Sequence, residues 1–293
     1  MNYADIKGGT WYPQKGMYEI AKAMYDLAVS LGVEFRFNHS VTGINIKDGV
    51  ANSVSCLVNT PAGKTSVAID ADVVVGGADY HHVETVLLPS EYQSYSAAYW
   101  NKRVMAPSCL LYYIGLNKKL EGITHHSLYF DTDFSLHGKE IYTTKEWPTN
   151  PLFYLCAPSV TDKTVAPEGC ENLFLLIPVA TGLTGDTEEL REKYFQQIIK
   201  RVEEQIGQSI QDAIIYKRTF AQSNFIEDYN AFKGNAYGLA NTLLQTAVLK
   251  PSCRSKKVKN LFFTGQLTVP GPGVPPSLIS GEVVAKEITK LYD

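Results

Sequence analysis

Met17, Ile20, Ala21, Met24, Leu27, Ala28 and Leu31 recur at the spacing of one helix face, and Gly32 follows them as a stop. The spacing predicts a helix over 16–31, and residues 34–37 read as a short strand after it. Alternating segments follow at 41–46, 53–59 and 64–69. Asp48-Gly49 and Pro61-Ala62-Gly63 are the turn signals between them, so the pattern predicts a three-stranded antiparallel meander. Val73-Val74-Val75 is apolar throughout and ends in Gly76-Gly77. That is the pattern of a buried strand whose end lets another group approach the backbone.

The middle of the chain has a different grammar. Segments 108–116, 126–131, 152–157 and 172–178 read as strands spaced by loops rich in Pro, Gly and Asp. A helix is predicted over 187–206, with Asp186 and Glu189 as a capping box and Gly207 as the stop. Its apolar face is Leu190, Tyr194, Ile198, Val202 and Ile206. The middle is therefore a mainly antiparallel sheet with helices on one side. The end returns to strand, loop and helix, with a strand at 260–264 and a helix running to about residue 292. The fold class is mixed α/β, with antiparallel structure inserted between two α/β ends.

The loop between that last strand and helix carries the chemistry. Gly265, Gly271 and Gly273 can adopt φ > 0 and present no side chain, so a ligand could lie against the backbone. Pro275 or Pro276 suits the first turn of a helix, whose positive end favours an anionic or electron-rich group. An ordinary crossover with a stiff turn would use the same residues.

At this point the residues carry a resemblance. The stretch 260–287, NLFFTGQLTVPGPGVPPSLISGEVVAKE, resembles the C-terminal flavin motif of bacterial-type phytoene desaturases, FAD-dependent members of the amine-oxidase-like flavoprotein superfamily. Gly9-Thr10-Trp11-Tyr12-Pro13 with Gly16-Met17 is similar to that family's G-x-W-Y-P segment. Val41-Thr42-Gly43-Ile44 stands where a valine backbone meets the adenine. Val74-Val75-Gly76-Gly77-Ala78-Asp79 is similar to V-V-x-N-A-D, with Gly77 where asparagine is usual, so only a backbone contact is expected there. Gly234-Asn235-Ala236-Tyr237-Gly238-Leu239 resembles G-x-A-F/Y-G-L, and Gln245 and Pro251 continue it.

The resemblance implies FAD as cofactor, held at Val41, Gly76, Ala78, Gly265, Gln266, Gly271, Gly273, Val274 and Pro275. It places Trp11, Tyr12 and Tyr237 at a long apolar polyene substrate, and it assigns no catalytic residue. It also implies an FAD-binding portion from residues 1–88 and 226–293, with a substrate-binding portion, 89–225, between them. Family members begin with a strand, a G-x-G-x-x-G loop and a helix, a pattern absent from these 293 residues. The expectation is an FAD/NAD(P)-binding flavoprotein fold without its N-terminal βαβ unit, a C-terminal portion wanting on the order of a hundred residues. Met1 then reads as an internal methionine or the start of a truncated frame.

The implied reaction is FAD-dependent desaturation of phytoene toward lycopene. The alternatives are another carotenoid desaturase, a polyene isomerase, a retinol saturase, an amine oxidase, or a catalytically silent fragment. Composition narrows the setting. Charged residues are 19% and hydrophobic ones 45%, a globular balance, and a net charge of −3 gives no electrostatic case for nucleic acid. Five cysteines without a CxxC pair read as reduced thiols. No apolar run reaches the ~18 residues of a membrane span, and the N-terminus is not a signal peptide. A cytoplasmic protein peripheral to the membrane is expected, with Lys256, Lys257 and Lys259 as a solvated loop or a headgroup contact. His81-His82 with Glu84, and His125-His126, lack the i, i+4 spacing of a helical metal site, so no metal is expected. Tyr112, Tyr113, Tyr129, Phe130, Tyr154 and Phe225 fit either core packing or the walls of an apolar tunnel.

Overall fold

The computed structural model describes residues 6–9, 11–61 and 63–292. Helix α1, Tyr18–Ser30, forms where the apolar spacing placed it, yet none of its residues is buried. Gly32 closes it at φ +88°, with the Val33 N–H bonded to the Ala28 carbonyl. The strand expected at 34–37 is not formed. Those residues have no ladder partner among the described residues, and a strand exists only through its partner. Phe35 and Phe37 pack instead near the Tyr25 ring, at 4.5 and 6.1 Å.

The meander is β1 (His39–Lys47), β2 (Val50–Thr60) and β3 (Gly63–Asp70), paired in that order. Asp48 and Gly49 both have positive φ, 53° and 73°, which is the two-residue turn whose twist matches an antiparallel pair. Strand β4 (Val74–Gly76) leads into helix α2 (Tyr80–Val86), capped by the Asp79 carboxylate. Helix α3 (Ala97–Asn101) is capped by Ser96.

The middle sheet contains β5 (Ser108–Leu116), β6 (His126–Tyr129), β7 (Phe153–Cys156), β8 (Glu171–Val179) and β9 (Ile214–Phe220). Its order is β6-β7-β8-β5-β9, and every pairing is antiparallel. Strand β9 has no counterpart in the sequence pattern. It is an edge strand with Ile215, Tyr216, Lys217 and Arg218 exposed, so burial never imposed an alternation on it. Helix α4 (Phe134–Lys139) follows β6, and α5 (Glu188–Ile206) covers one face of the sheet. Alternate residues such as Leu110, Tyr112 and Ile114 of β5 and Leu173, Leu175 and Ile177 of β8 pack against Tyr194, Phe195, Ile198 and Val202 of α5.

The cap of α5 is Thr187, whose hydroxyl accepts the Leu190 N–H at 3.2 Å, and not the expected Asp186. Asp186 is instead committed to a buried two-point pair with Arg191, at 2.7 and 2.9 Å, and accepts the Ser223 N–H at 3.0 Å. That pair ties α5 to α6 (Gln222–Tyr229).

The chain then returns to β10 (Leu261–Phe263) and α7 (Val274–Thr289). Strand β10 lies parallel to β4, with Leu261 opposite Val74 and Phe263 opposite Gly76. Asn260, buried at the entrance, donates to the Ala51 and Asp72 carbonyls at 2.7 Å each and accepts the Ala51 N–H at 2.8 Å, which clamps the meander to the pair. A second core gathers Val74, Tyr80, Val83, Trp100, Met105, Leu239, Leu261 and Phe263, with Tyr80 stacked on Phe263 at 3.9 Å. Tyr92, Tyr95 and Tyr99 pack against it, so the chain leaves this core only just before Ser108. No helix among the described residues is long and apolar enough to cross a membrane.

The Asp186–Arg191 pair makes a stability prediction. Burial by itself would raise the Asp186 carboxyl; the Arg191 guanidinium, then the Ser223 N–H and hydroxyl, outweigh it and hold the group below the ordinary 3.8. Its contribution is therefore complete above the ordinary carboxylate value and is lost as pH falls through the lowered one. Asp186→Ala, which removes the carboxylate from the buried guanidinium, is expected to cost about 3 kcal/mol at neutral pH. Urea unfolding read at pH 7 and in acid checks both the loss and its disappearance.

Candidate functional site

Because β4 and β10 are parallel, their carboxyl ends reach the same edge, and the Thr264 N–H extends the pairing to the Gly76 carbonyl at 3.0 Å. In open α/β sheets ligands lie outside that edge. A cleft of about 590 Å³ is found there, lined by Gly77, Ala78, Asp79, Asn235, Gly265, Gln266 and Ser277 among others.

A polar lock fixes its walls. Buried Asn235 accepts the Gly238 N–H at 2.9 Å and the Gln266 Nε2 at 3.0 Å through Oδ1. Its Nδ2 donates to the Phe232 carbonyl at 2.8 Å and lies 3.5 Å from the Asp79 carboxylate. Asp79 also accepts the His82 and Phe232 N–H groups at 3.1 Å each. Burial raises the Asp79 carboxyl above its ordinary value, and the N–H donors of Phe232 and His82 pull it only part of the way back. Gly238, at φ +68°, lets two backbones touch: a Cβ there would sit 2.7 Å from the Gln266 carbonyl oxygen.

Of the residues expected at the flavin, Ala78, Gly265 and Gln266 line the cleft. Gly265 has φ +98°, and nothing lies within 4 Å of where a Cβ would stand, so it forms an open cradle. Its N–H donates to Ser280 Oγ of α7 at 2.8 Å. Gly76 lies beneath the cleft. A Cβ there would meet Val83 Cγ1 at 3.1 Å and Phe263 Cδ1 at 3.3 Å, so its size serves the packing of α2 on the strand. Gly271, Gly273, Val274 and Pro275 lie at the N-terminal end of α7, one turn from Ser277 in the cleft wall. Gly273 caps that helix at φ +114°. Pro275 and Pro276 have no N–H, so Val274 alone offers a main-chain donor among the first three helical positions. Such an end suits a single electron-rich edge rather than a diphosphate. Val41 is not in the cleft wall; it is 40% exposed on β1, opposite Cys56, because the meander forms a sheet of its own.

A second cavity, of about 840 Å³, lies on the face of the middle sheet turned away from α5. Tyr12, Tyr113, Tyr154, Phe174 and Tyr216 line it, and Tyr12 meets His125 edge-on at 4.7 Å. Trp11 lines neither site; it is 89% exposed with its indole N–H on the Gly8 carbonyl at 2.8 Å. Tyr237 is 39% exposed beside Ala236 of the cleft wall, and what burial it has raises its phenol. Tyr112 faces the other way, into the α5 core, and its hydroxyl donates to the Arg191 carbonyl at 2.6 Å.

The two sites have a common border. Cys109, Leu111 and Phe220 form an apolar cluster with Phe174, Leu176, Phe225 and Ala236. Phe225 and Ala236 also line the cleft, and Phe174 also lines the larger cavity. One apolar cluster therefore borders both the cleft and the aromatic cavity. In the cavity wall the His125 and His126 rings stack at 4.2 Å, with donor atoms of these two and Cys156 all within 4.8 Å of one another. His125 sits in the bend before β6 and His126 opens the strand. The Nδ1 atoms already have partners, Thr161 Oγ1 for His125 and the Tyr154 hydroxyl for His126, at 2.6 Å each.

The residues present fit the flavin part of FAD: the open Gly265 cradle, the Val274 N–H and the positive end of a sixteen-residue helix all bound the same region. Comparison with known proteins agrees. Residues 1–289 match the family described as flavin containing amine oxidoreductase. The chain is 40% identical over 289 residues to a carotenoid 3,4-desaturase of Haloarcula japonica, covering 98% of this chain and 56% of that protein. It is 27% identical to a zeta-carotene-forming phytoene desaturase of Myxococcus xanthus (98% and 54% covered) and 25% identical to a phytoene desaturase of Fusarium fujikuroi (99% and 53%). The chain thus spans about half the length of the curated relatives it matches. An oxidoreductase from Methanosarcina mazei shares the fold at a TM-score of 0.60 and 14% identity, over 94% of this chain and 55% of that one.

Two substitutions test the architecture of the cleft. Gly238→Ala combines φ > 0 with a backbone clash and is expected to cost about 2 kcal/mol or more, measured by thermal unfolding. His81 stacks on Phe232 at 4.0 Å, and burial, then the neighbouring His82 and Lys233, push its imidazole from 6.5 down to about 4. The unfolded chain takes up this proton first, so stability is level above 6.5 and falls between 6.5 and about 4. His81→Phe is expected to flatten that limb when unfolding midpoints are compared across the window.

Proposed function

The chain belongs to the flavin-containing amine oxidoreductase family, and from that premise we propose that the protein is an FAD-dependent carotenoid desaturase. The observation that carries the reading is the apolar cluster that borders both the cleft and the aromatic cavity. A long polyene needs a wide apolar wall with few polar groups, leading to the cofactor. The chain's similarity to carotenoid desaturases supports the same substrate class.

When bound, FAD supplies the redox chemistry by accepting a hydride equivalent from an allylic carbon while a proton leaves the neighbouring one. This chain's residues bind, orient and exclude water. Phe225, Leu111 and Phe174 align the chain of the substrate and keep the cleft dry. Asn235 fixes the Gln266 amide, and the Val274 N–H with the end of α7 favours electron density at the flavin edge. The flavin-binding portion is assigned to residues 1–88 and 226–293 together with the segment up to Ser108, whose Tyr92, Tyr95, Tyr99 and Trp100 share its core, and the substrate portion to the rest of 89–225. Peripheral contact with a membrane belongs to the same reading, since a carotenoid is held in lipid. Leu243, Leu244 and Val248, 89, 78 and 94% exposed, offer an apolar tip for it.

Within carotenoids, phytoene is the substrate expected from the sequence. The 40% identity to a 3,4-desaturase, against 27 and 25% for the phytoene desaturases named above, favours a second reading, in which an already conjugated carotenoid is desaturated at the 3,4 position.

Separate incubations of the flavin-loaded protein with phytoene and with lycopene distinguish the two. Each new conjugated double bond moves the absorption to longer wavelength, and no shift with either polyene refutes desaturation. Gly265→Val places a side chain in the open cradle without touching protein atoms at its Cβ. It is expected to lower bound flavin at least tenfold, read as flavin fluorescence released on heating per mole of protein. Gly122→Val, also at positive φ and open on all sides, is the control for backbone strain and should keep its flavin.

A further inference from the structure

Lys250 is 5% exposed, and its ammonium, Nζ, is buried without a hydrogen-bond partner among the described residues. Leaving a buried charge or polar donor unpaired is among the costliest things a fold can do, so such groups are retained where something outside the fold satisfies them. Its position says what that something is. Lys250 follows a short turn, Ala247–Leu249, and reaches the loop before α7. A Cβ on Gly271 would lie 3.5 Å from Lys250 Nζ and 3.6 Å from its Cε. Gly271 itself has φ +134°, so no side chain separates the ammonium from the loop backbone.

A second observation points the same way. A cavity of about 700 Å³ beneath this loop is lined by Lys250 and Lys256 together with Tyr95, Ser252, Val269 and Pro270, and no carboxylate is in its wall. The Lys256 ammonium is already placed over the Tyr95 ring at 4.2 Å. Lys250 has no such partner, and burial pushes its amine below the ordinary lysine value. A negative charge lying against the Gly271 backbone, where a Cβ would be 3.5 Å from Nζ, would restore the charge and satisfy the donor together.

We propose that Lys250 is a positioning residue for the cofactor, its ammonium held in reserve for the negative charge of a bound flavin nucleotide at the Gly271 loop. This rests on the reading of the cleft as the flavin site. The charge has two sources in such a ligand, the phosphates and the ring after reduction. A fixed cation near the phosphates strengthens binding of both oxidation states equally. A cation near the ring strengthens the reduced state more, and so raises the reduction potential.

The test uses Lys250→Met and Lys250→Arg, with flavin affinity by fluorescence titration, reduction potential by dye equilibration, and melting of the flavin-free protein. Lys250→Met keeps the length and apolar stem and deletes the stranded donor. The flavin-free variant is expected to melt no lower than the unsubstituted protein, while FAD binding weakens at least tenfold and Lys250→Arg recovers most of it. A purely structural lysine would behave oppositely, lowering the melting point and the affinity in step. If the ring is the partner, the variant's preference for reduced over oxidised flavin drops about tenfold, equal to about 30 mV for a two-electron couple. An unchanged potential with weakened binding assigns the phosphates. Unaltered affinity and potential in Lys250→Met overturn the proposal alone. An unsubstituted protein that takes up no FAD overturns the reading of the cleft and this role with it.

Discussion

The cleft depends on a parallel pairing only three residues long, between Val74–Gly76 and Leu261–Phe263. Parallel strands cannot be joined by a tight turn, so a long crossover must separate them. Here the crossover contains the whole middle sheet. So short a ladder gains little from its own hydrogen bonds, and its register is imposed from outside. Asn260 clamps its entrance to the meander, Tyr80 covers Phe263, and Gly76 lets Val83 close against the strand. Once that register is set, Ala78 and Gly265 must face each other across one edge.

A short ladder leaves the exit loops unsupported, and the Asn235 lock supplies what the strands do not. One buried amide bonds the segment after β10, the turn at Gly238 and the cap of α2. Each donor and acceptor is matched, which is the condition under which a buried polar network fixes one arrangement instead of costing stability. Among the described residues near the same loop, Lys250 breaks that condition, which is why it reads as directed at a ligand rather than at the fold.

The middle sheet divides its two faces between stability and the site. Leu110, Tyr112, Ile114 and Leu116 of β5 belong to the larger core with α5, while Cys109, Leu111 and Tyr113 face the opposite side. With a side-chain period of two, one strand serves both purposes without compromise. The α5 side is closed by the Asp186–Arg191 pair, and the other carries the apolar cluster that touches both cleft and cavity.

The sequence by itself determined the elements whose residues are held by local periodicity or turn chemistry. The meander with its Asp48-Gly49 turn, β5, β8, α5 and the Gly273-Val274-Pro275 start of α7 were all legible, because each is fixed within a few residues of itself. The glycines and prolines of the Gly265–Pro275 loop marked a stiff crossover able to admit a ligand, and the expectation of a flavin there came from its resemblance to a known motif. Only the tertiary structure decided what requires a partner distant in sequence. Residues 34–37 have the composition of a strand and no ladder, and β9 has a ladder without the alternation. Thr187 caps α5 because Asp186 is claimed by Arg191. Val41 leaves the cleft because its strand belongs to another sheet, and His125 stacks on His126 where the bend before β6 meets the strand. Asn235 stood inside a recognised motif, yet its bonds to Gln266 and Asp79 cross 31 and 156 positions of chain. Lys250 gave no signal at all, because a lysine is read as solvent-facing until the packing around it shows that it is not.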